Sequence, residues 1–394
     1  APSRGLGDVY KRQGYVYAIA PNAPEAIIMG GHAGNSAFWI NDVTGKWATT
    51  TYYKDLPTPP QTINHREPTD SRLDTLQWTP IISVDRLPDL PGYKKLYPFR
   101  HTFPRQNANR YVAYKNSPAV NADITRLASD YIRILNLGKR DNIDMLNLGY
   151  SVQPFIHGRD ADNRPETMDA YLRLDRNLAS LFAAIDAKGP GMDHTLVFIA
   201  GTPLTNRTRR DDEKWGTPFG EFSSRKAVSL LNMYLMALYG NGEWVSGYHN
   251  GQIYLNHKLI KERDKDLSEI RGESARFLTR MSGVTSAWTI DDVIDRRATE
   301  RPDAMRRNTP VQTAGDVIVS IAPGWQETDD DSDMERPQTT LRAATTVAPA
   351  FILAPGEASR TIGGAVDARV LAPTVAGMLR IRSPNGASLP RLRW

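Results

Sequence analysis

The chain has 394 residues, 40% hydrophobic and 24% charged, which is room for one large α/β domain with insertions or for two domains. It contains no cysteine, which excludes disulfides, thiolate metal sites and cysteine nucleophiles. The net charge of +5 arises from 49 basic residues dispersed among 44 acidic ones, so it reads as a solvated basic face and does not indicate nucleic-acid binding, and no apolar run approaches the roughly 18 residues of a transmembrane helix.

Residues 1–13 have no periodic pattern and no signal-peptide regions, and they read as a non-native or unstructured leader. Residues 14–53 read as β-rich. Tyr15–Ala20 forms a strand, Ala26–Met29 a short apolar run, and Ala37–Tyr53 a hairpin turning at Asn41–Gly45. From 54 to 118 prolines recur too often for long helices. This stretch is expected to be an irregular insertion or cap with one short strand, Ile81–Val84.

Beyond 119 helix and strand patterns alternate. Ile124, Leu127, Ala128, Tyr131, Ile132 and Leu135 follow helical spacing, with Gly138 as the expected C-cap. Met145–Tyr150 is a strand, Met168–Ile185 an amphipathic helix, and Thr195–Gly201 a continuous apolar strand that suits burial on both faces. Strand, helix and strand with a long crossover is the βαβ pattern of a mostly parallel sheet. Further on, Ser223–Tyr239 is a helix with Leu230 and Leu238 on its apolar face, and Trp244–Leu255 is a hairpin turning at Asn250-Gly251. Leu267–Met281 is helical, Val284–Ile290 a strand, Asp291–Arg297 a short helix and Gly315–Ile321 a strand. Gln326–Gln338 reads as a solvated acidic loop, Pro349–Leu353 as a buried strand and Val370–Leu379 as a last helix.

In a parallel α/β sheet, chemistry gathers in loops beyond the carboxyl ends of the strands. The common phosphate-loop, zincin, hydrolase-elbow and EF-hand patterns are absent. The seven histidines are never closer than eight residues apart, so no local metal pair exists, and each reads as a surface or hydrogen-bonded core histidine.

Several segments taken together carry a resemblance. Gly30-Gly31-His32-Ala33-Gly34-Asn35-Ser36-Ala37-Phe38-Trp39, then Thr44-Gly45-Lys46-Trp47 and Thr51-Tyr52-Tyr53, resemble an "AGH-x-x-N-x-A-[YF]-W … TG-x-W … S-x-YY" run. Tyr171–Asp175, Gln252–Asn256, Gly315-Asp316, Pro323-Gly324-Trp325, Ala372-Pro373-Thr374 and Ser383–Gly386 continue it in order. The run belongs to the alkaline phosphatase superfamily, of the bacterial phosphate-monoesterase and nucleotide pyrophosphatase/phosphodiesterase type. The resemblance implies an α/β fold with a doubly wound, mostly parallel sheet flanked by helices, over residues 14–394 with the 54–118 cap inserted. It also implies two zinc ions and a Thr or Ser nucleophile that attacks phosphorus in line.

Two loops depart from that pattern. After the Met145–Tyr150 strand, "S-x-T-D-x-x-G-H" is expected to supply an Asp and a His ligand. The chain reads Ser151-Val152-Gln153-Pro154-Phe155-Ile156-His157-Gly158, with His157 one place off. After Thr195–Gly201, "[TS]-[AS]-D-H-G" is expected, and the chain reads Ala200-Gly201-Thr202-Pro203-Leu204. Thr339–Ala350 contains no histidine where a further ligand belongs, and the family's nucleophile loop and basic residues before "AGH" are unmatched. The chain is therefore expected to be a degenerate, N-terminally truncated member that has lost the dinuclear ligands. No cofactor is expected for it, and no catalytic residue.

The leading expectation is a pseudoenzyme that binds or supports rather than hydrolyses. Gln153, Thr202, Asn206 and Arg207 are its pocket-lining residues, with Arg209 and Arg210 beside them, facing an anion or phosphate ester. The alternatives are a metal-dependent phosphoric ester hydrolase with a rebuilt site, or one active only in a full-length parent. In the rebuilt site His157 and Asp160, with Arg159 and Asp162, would hold one hard cation or act as an acid–base pair. The resemblance places such a protein in the periplasm or at the cell surface.

Overall fold

The computed structural model describes residues 14–53, 58–84, 87, 90–155, 157, 163–202, 220–295, 309–310, 312–322, 325–328 and 347–392. The expected leader at 1–13 lies outside them. The chain forms two compact units, one of residues 1–202 with 347–394 and the other of residues 203–346.

The first unit is built on a four-stranded sheet of β1 (Val16–Ile19), β2 (Ser36–Ile40), β3 (Trp47–Ala48) and β6 (Met145–Leu148), in the order β3-β2-β1-β6. β2, β1 and β6 run parallel, and β3 is an antiparallel edge. The strands alternate as a doubly covered sheet requires. Tyr17, Ile19, Phe38 and Ile40 pack into a core with Ile124, Leu127, Ala128 and Tyr131 of a long helix, α6 (Ala119–Ile134). Ala18, Ala20 and Ala37 pack in a separate small-residue cluster with Ala26 of α1 (Ala23–Gly30). Alanines there let α1 lie close to the strands. That helix replaces the β-rich reading of Ala26–Met29: Pro24 falls in its first turn, where no backbone donor is needed, and starts the helix.

The Asn41–Gly45 turn of the expected hairpin is present. The Asn41 side chain accepts from the Val43 and Thr44 amides at 2.9 Å, and Gly45 takes φ +64° where a Cβ would strike the Tyr111 ring. The return strand is only β3, because Thr51–Tyr53 tightens into a 3-10 turn.

The 58–118 region is more helical than its prolines suggest. It holds α2 (Thr58–Arg66), α3 (Thr69–Leu73), α4 (Gly92–Leu96) and α5 (Arg110–Lys115), and one ribbon of β4 (Gln77–Trp78) with β5 (His101–Thr102). Prolines 59, 60, 68 and 91 occupy early or flanking helix positions, which tolerate them. Ile81–Val84 is not a strand: the Ile81 amide donates instead to Asp169 at 2.7 Å. The helix expected around Ile124–Leu135 ends at Ile134, and Asn136, not Gly138, first takes the left-handed conformation (φ 50°).

β6 leads through α7 (Arg164–Lys188) to β7 (Val197–Ala200), as the periodicity predicts. β7, however, does not join the parallel sheet. It pairs antiparallel with β14 (Ala350–Leu353) in a two-stranded sheet. Neither is buried as expected: Val197, Phe198 and Ile199 are half-buried, and Phe351 and Leu353 are 61% and 51% exposed. Among the described residues each strand has a bonded neighbour on one side alone.

The second unit centres on an antiparallel sheet, β11-β12-β10-β9, formed by β9 (Val245–His249), β10 (Gln252–Leu255), β11 (Val284–Thr289) and β12 (Val317–Ile321). The β9–β10 turn has positive φ at both Asn250 and Gly251, which matches the twist of a tight hairpin. α8 (Ser224–Tyr239) and α10 (Leu267–Thr279) bury Leu231, Leu235, Ile270 and Leu278 with the sheet's Ile253, Val317 and Val319. Leu230 and Leu238, expected on the apolar face of α8, are exposed. β8 (Gly220–Ser223) and β13 (Trp325–Thr328) pair in parallel, so the expected acidic loop opens with a strand. α9 (His257–Glu262), α11 (Ile290–Ile294) and, back in the first unit, α12 (Leu371–Met378) complete the elements used below.

Candidate functional site

The strand order of the first unit changes direction at β1, with β2 on one side and β6 on the other. That is the topology in which doubly wound proteins bind ligands beyond the carboxyl ends of the two central strands. Here those ends touch. A Cβ on Gly149 would lie 2.9 Å from the Ala20 Cβ and 3.2 Å from the Met29 Cε. The Gly149 amide also donates to the Ile19 carbonyl at 2.8 Å.

The loop after β6 is fastened to the protein along most of its described length. Asn121 makes a reciprocal pair with Ser151: the Ser151 amide donates to Oδ1 at 2.8 Å, and Nδ2 donates to the Ser151 carbonyl at 2.7 Å. Gln153 donates through Nε2 to Asn116 Oδ1. Asn116 Nδ2 lies 2.8 Å from His157 Nε2. Since the amide nitrogen only donates, this geometry makes Nε2 an acceptor and the imidazole neutral. Burial disfavours the charged ring and lowers the His157 pKa, which agrees with that state. Phe155 is buried against Trp78 and His101, with ring centroids 5.0 and 4.6 Å away.

The structure therefore brings Gln153 and His157 together through one shared partner, Asn116. Thr202 is exposed, just after the Gly201 amide donates to the Pro349 carbonyl at 3.1 Å. Asp160, Asn206 and Arg207, like Arg159, Asp162, Arg209 and Arg210, lie outside the described residues.

Asn116 and Asn121 were missed by sequence reasoning. The signal available was Asn116-Ser117-Pro118 before an amphipathic helix, a run that reads as a cap boundary. A second missed pair is His101 and Glu166. His101 Nε2 lies 2.9 Å from Glu166 Oε1, stacked on Phe99, while Glu166 Oε2 is buried with no hydrogen-bond partner among the described residues. Nearby, Asp169 accepts from Trp78 Nε1 at 2.6 Å, from the Ile81 amide and from Arg173 Nε at 2.6 Å.

These residues do not fit a dinuclear zinc centre. Pro154 stands where a carboxylate is expected, Phe155 is buried in an aromatic nest, and the one imidazole of the loop has Nε2 engaged by an amide. Among the described residues no group of three or more His, Asp or Glu side chains is placed to hold a metal. Zinc needs charge-compensating donors at about 2 Å, and neutral amides do not supply them.

The second unit has its own cavity of about 360 Å³, lined by His257, Arg271, Asp291, Gln312 and Asp316 with Ile290 among the apolar residues. Its charges answer one another. Asp316 accepts from the Leu255 amide at 2.8 Å, from His257 Nε2 at 2.8 Å and from Arg271 Nε at 2.8 Å, and Arg271 also forks onto Asp291. The Gly315 amide donates to Gln252, and the Asp316 amide donates to the Ile253 carbonyl at 2.7 Å. The Gln252–Asn256 and Gly315-Asp316 segments thus lock β10 against the start of β12.

No family model matches the chain. Among curated proteins, a calcium-transporting ATPase of Myroides odoratus is 25% identical, covering 95% of this chain and 70% of that protein. Alkaline phosphatase PhoV of Synechococcus elongatus is 23% identical, over 92% of this chain and 66% of its own length. Alkaline phosphatase PafA of Elizabethkingia meningoseptica is also 23% identical, over 92% and 68%. The chain thus spans about two thirds of the length of these relatives. The crystal structure of alkaline phosphatase PafA superposes with a TM-score of 0.75 at 22% identity, over 98% of this chain and 76% of that one. The ordered motifs, the relatives and the shared architecture agree: the chain has the alkaline phosphatase fold and is similar in sequence to alkaline phosphatases over most of its length.

Proposed function

We propose that this chain is a non-hydrolytic member of the superfamily that binds an anion or phosphate ester. The observation that carries the reading is the Ser151–His157 loop, whose polar groups are engaged by Asn116 and Asn121 and offer no carboxylate to a metal. Gln153 and Thr202, with Asn206 and Arg207, are the binding residues of this reading. Amide, hydroxyl and guanidinium groups hydrogen-bond phosphate oxygens without a metal. The 14–394 region is read as a partial phosphatase-like domain with its cap at 54–118, and its compartment as the periplasm or cell surface. No helix among the described residues is long and apolar enough to cross a membrane.

The test is hydrolysis of p-nitrophenyl phosphate and bis-p-nitrophenyl phosphate, with and without added zinc, beside a calorimetric titration with inorganic phosphate. The proposal expects turnover at the buffer rate and phosphate binding that weakens at least fivefold in Arg207→Ala. Zinc-dependent turnover abolished by His157→Ala and Asp160→Ala would establish the rebuilt-site hydrolase instead.

A further inference from the structure

The short helix α4 of the first unit is turned inside out. Its Lys94 is 2% exposed, whereas Tyr93 and Leu96 are 61% and 76% exposed and Tyr97, which caps the helix, is 81% exposed. The three apolar residues stand at i, i+3 and i+4 of one turn, which the Tyr97 amide closes on the Tyr93 carbonyl at 2.8 Å. Both flanks of the turn are anchored. Leu90 is buried before it, and Phe99 packs on Trp78 and His101 after it, with ring centroids 5.2 and 5.3 Å away. Singly scattered apolar residues are ordinary on a surface, but three together on a fixed turn mark a place of contact.

The charge around this turn has one sign. From Leu90 to Ala122 the sequence carries Lys94, Lys95, Arg100, Arg105, Arg110 and Lys115 and no acidic residue. Asp70 and Asp74 answer Arg105 and Arg110, and Asp42 answers Lys115. Lys95 and Arg100 are exposed, and among the described residues no ion pair engages either of them. Two available cations therefore border the apolar trio within the same short segment.

We infer that Tyr93, Leu96 and Tyr97, with Lys95 and Arg100, form a docking surface for an anionic phospholipid bilayer. Tyrosine rings suit the headgroup boundary, where one end is apolar and the other wet. Leu96 enters the acyl region beneath them, while lysine and arginine lay their stems on apolar surface and hold their charges at the lipid phosphates. Such an attachment is weak and reversible. A single-stranded nucleic acid fits less well, because an aliphatic leucine does not stack with bases and two cations neutralise few phosphates. The inference requires nothing of the Ser151–His157 loop.

The test is flotation of the intact chain with vesicles made of equal parts phosphatidylglycerol and phosphatidylcholine. Partitioning is expected to be about tenfold stronger than onto pure phosphatidylcholine, and to fall about tenfold when Lys95→Gln is combined with Arg100→Gln. Combining Leu96→Ser with Tyr97→Ser is expected to weaken it about tenfold, with the urea midpoint unchanged because both side chains are exposed. The chain has no cysteine, so Leu96→Cys and, as a control in the second unit, the exposed Met233→Cys each accept one environment-sensitive fluorophore. Anionic vesicles should shift the emission to the blue at 96 and leave it unchanged at 233. No flotation on anionic vesicles, undiminished flotation of the Leu96→Ser and Tyr97→Ser chain, or an equal shift at both labels would overturn the inference. Tighter binding to single-stranded oligothymidylate, lost in the same variants, would also overturn it and assign the surface to nucleic acid.

Discussion

Asn35 and Asn116 are two amides at two loops, and they do opposite things. Asn35 lies in the segment that resembles the superfamily run, and it bonds backbone. Its side chain accepts from the Val16 amide at 2.8 Å, and its own amide donates to the Val16 carbonyl at 2.8 Å. Two tyrosines of the same run act alike, Tyr52 donating to the His32 carbonyl and Tyr53 to the Gly31 carbonyl. Asn116 bonds side chains, Gln153 and His157, on the loop where the run expects metal ligands and the sequence departs. The matching residues bond backbone, whereas Asn116 fastens the side chains of the departing loop.

The largest break in this contrast comes from outside both loops. Asp169→Ala leaves the Trp78 indole, the Ile81 amide and Arg173 without their buried acceptor. It is expected to cost ~3–5 kcal/mol in urea unfolding, as for a broken buried charge network. A loss below 1 kcal/mol would mean that the 58–118 region is not held to α7 in this way. Next, Asn35→Ala strands the buried Val16 amide and is expected to cost about 1–3 kcal/mol. Asn116→Ala, by contrast, is expected to cost roughly 1 kcal/mol or less, because its partners are part-exposed and water replaces it. If Asn116→Ala proves the costlier of the two, the division between fold-fastening and loop-fastening residues is wrong.

The same contrast has a pH signature. His157 has a lowered pKa through burial, so its neutral form contributes to the loop fully above the ordinary value of 6.5 and progressively less as pH falls below it. Imidazole NMR should show His157 titrating below the exposed histidines, and moving toward 6.5 in Asn116→Ala. A smaller effect is expected at Asp74, whose carboxyl is held down to about 2, chiefly by its hydrogen bond to Arg105. That depression contributes above pH 3.8 and disappears as pH falls toward 2, with salt weakening it because the pair is exposed. Loss of near-ultraviolet signal in that window, shifted in Arg105→Ala, is the check.

Much of this fold is legible in the sequence where the pattern is local. The Tyr15–Ala20 and Met145–Tyr150 strands, the Ala119–Ile134 and Arg164–Lys188 helices and the Asn250-Gly251 turn follow from periodicity and turn chemistry. What periodicity cannot supply is the partner of a strand. Val197–Ala200 reads as a doubly buried parallel strand from its composition, but burial depends on neighbours, and among the described residues β14 is its one bonded neighbour. Prolines 59, 60, 68 and 91 read as helix breakers although three short helices begin at or beside them. At the site, Pro154 and Thr202 are legible in the sequence as departures from the pattern the resemblance implies. The engagement of His157 by Asn116 spans 41 residues and left no local trace.

The central claim is that the loops beyond β6 and β7 no longer hold a dinuclear metal centre. Zinc stoichiometry tests it most directly, measured on the intact chain by native mass spectrometry after equilibration with excess zinc and removal of free metal. The account predicts no stoichiometric zinc, and the same mass with and without chelator. Two tightly held zinc ions per chain, released on chelation and lost in His157→Ala, would contradict it.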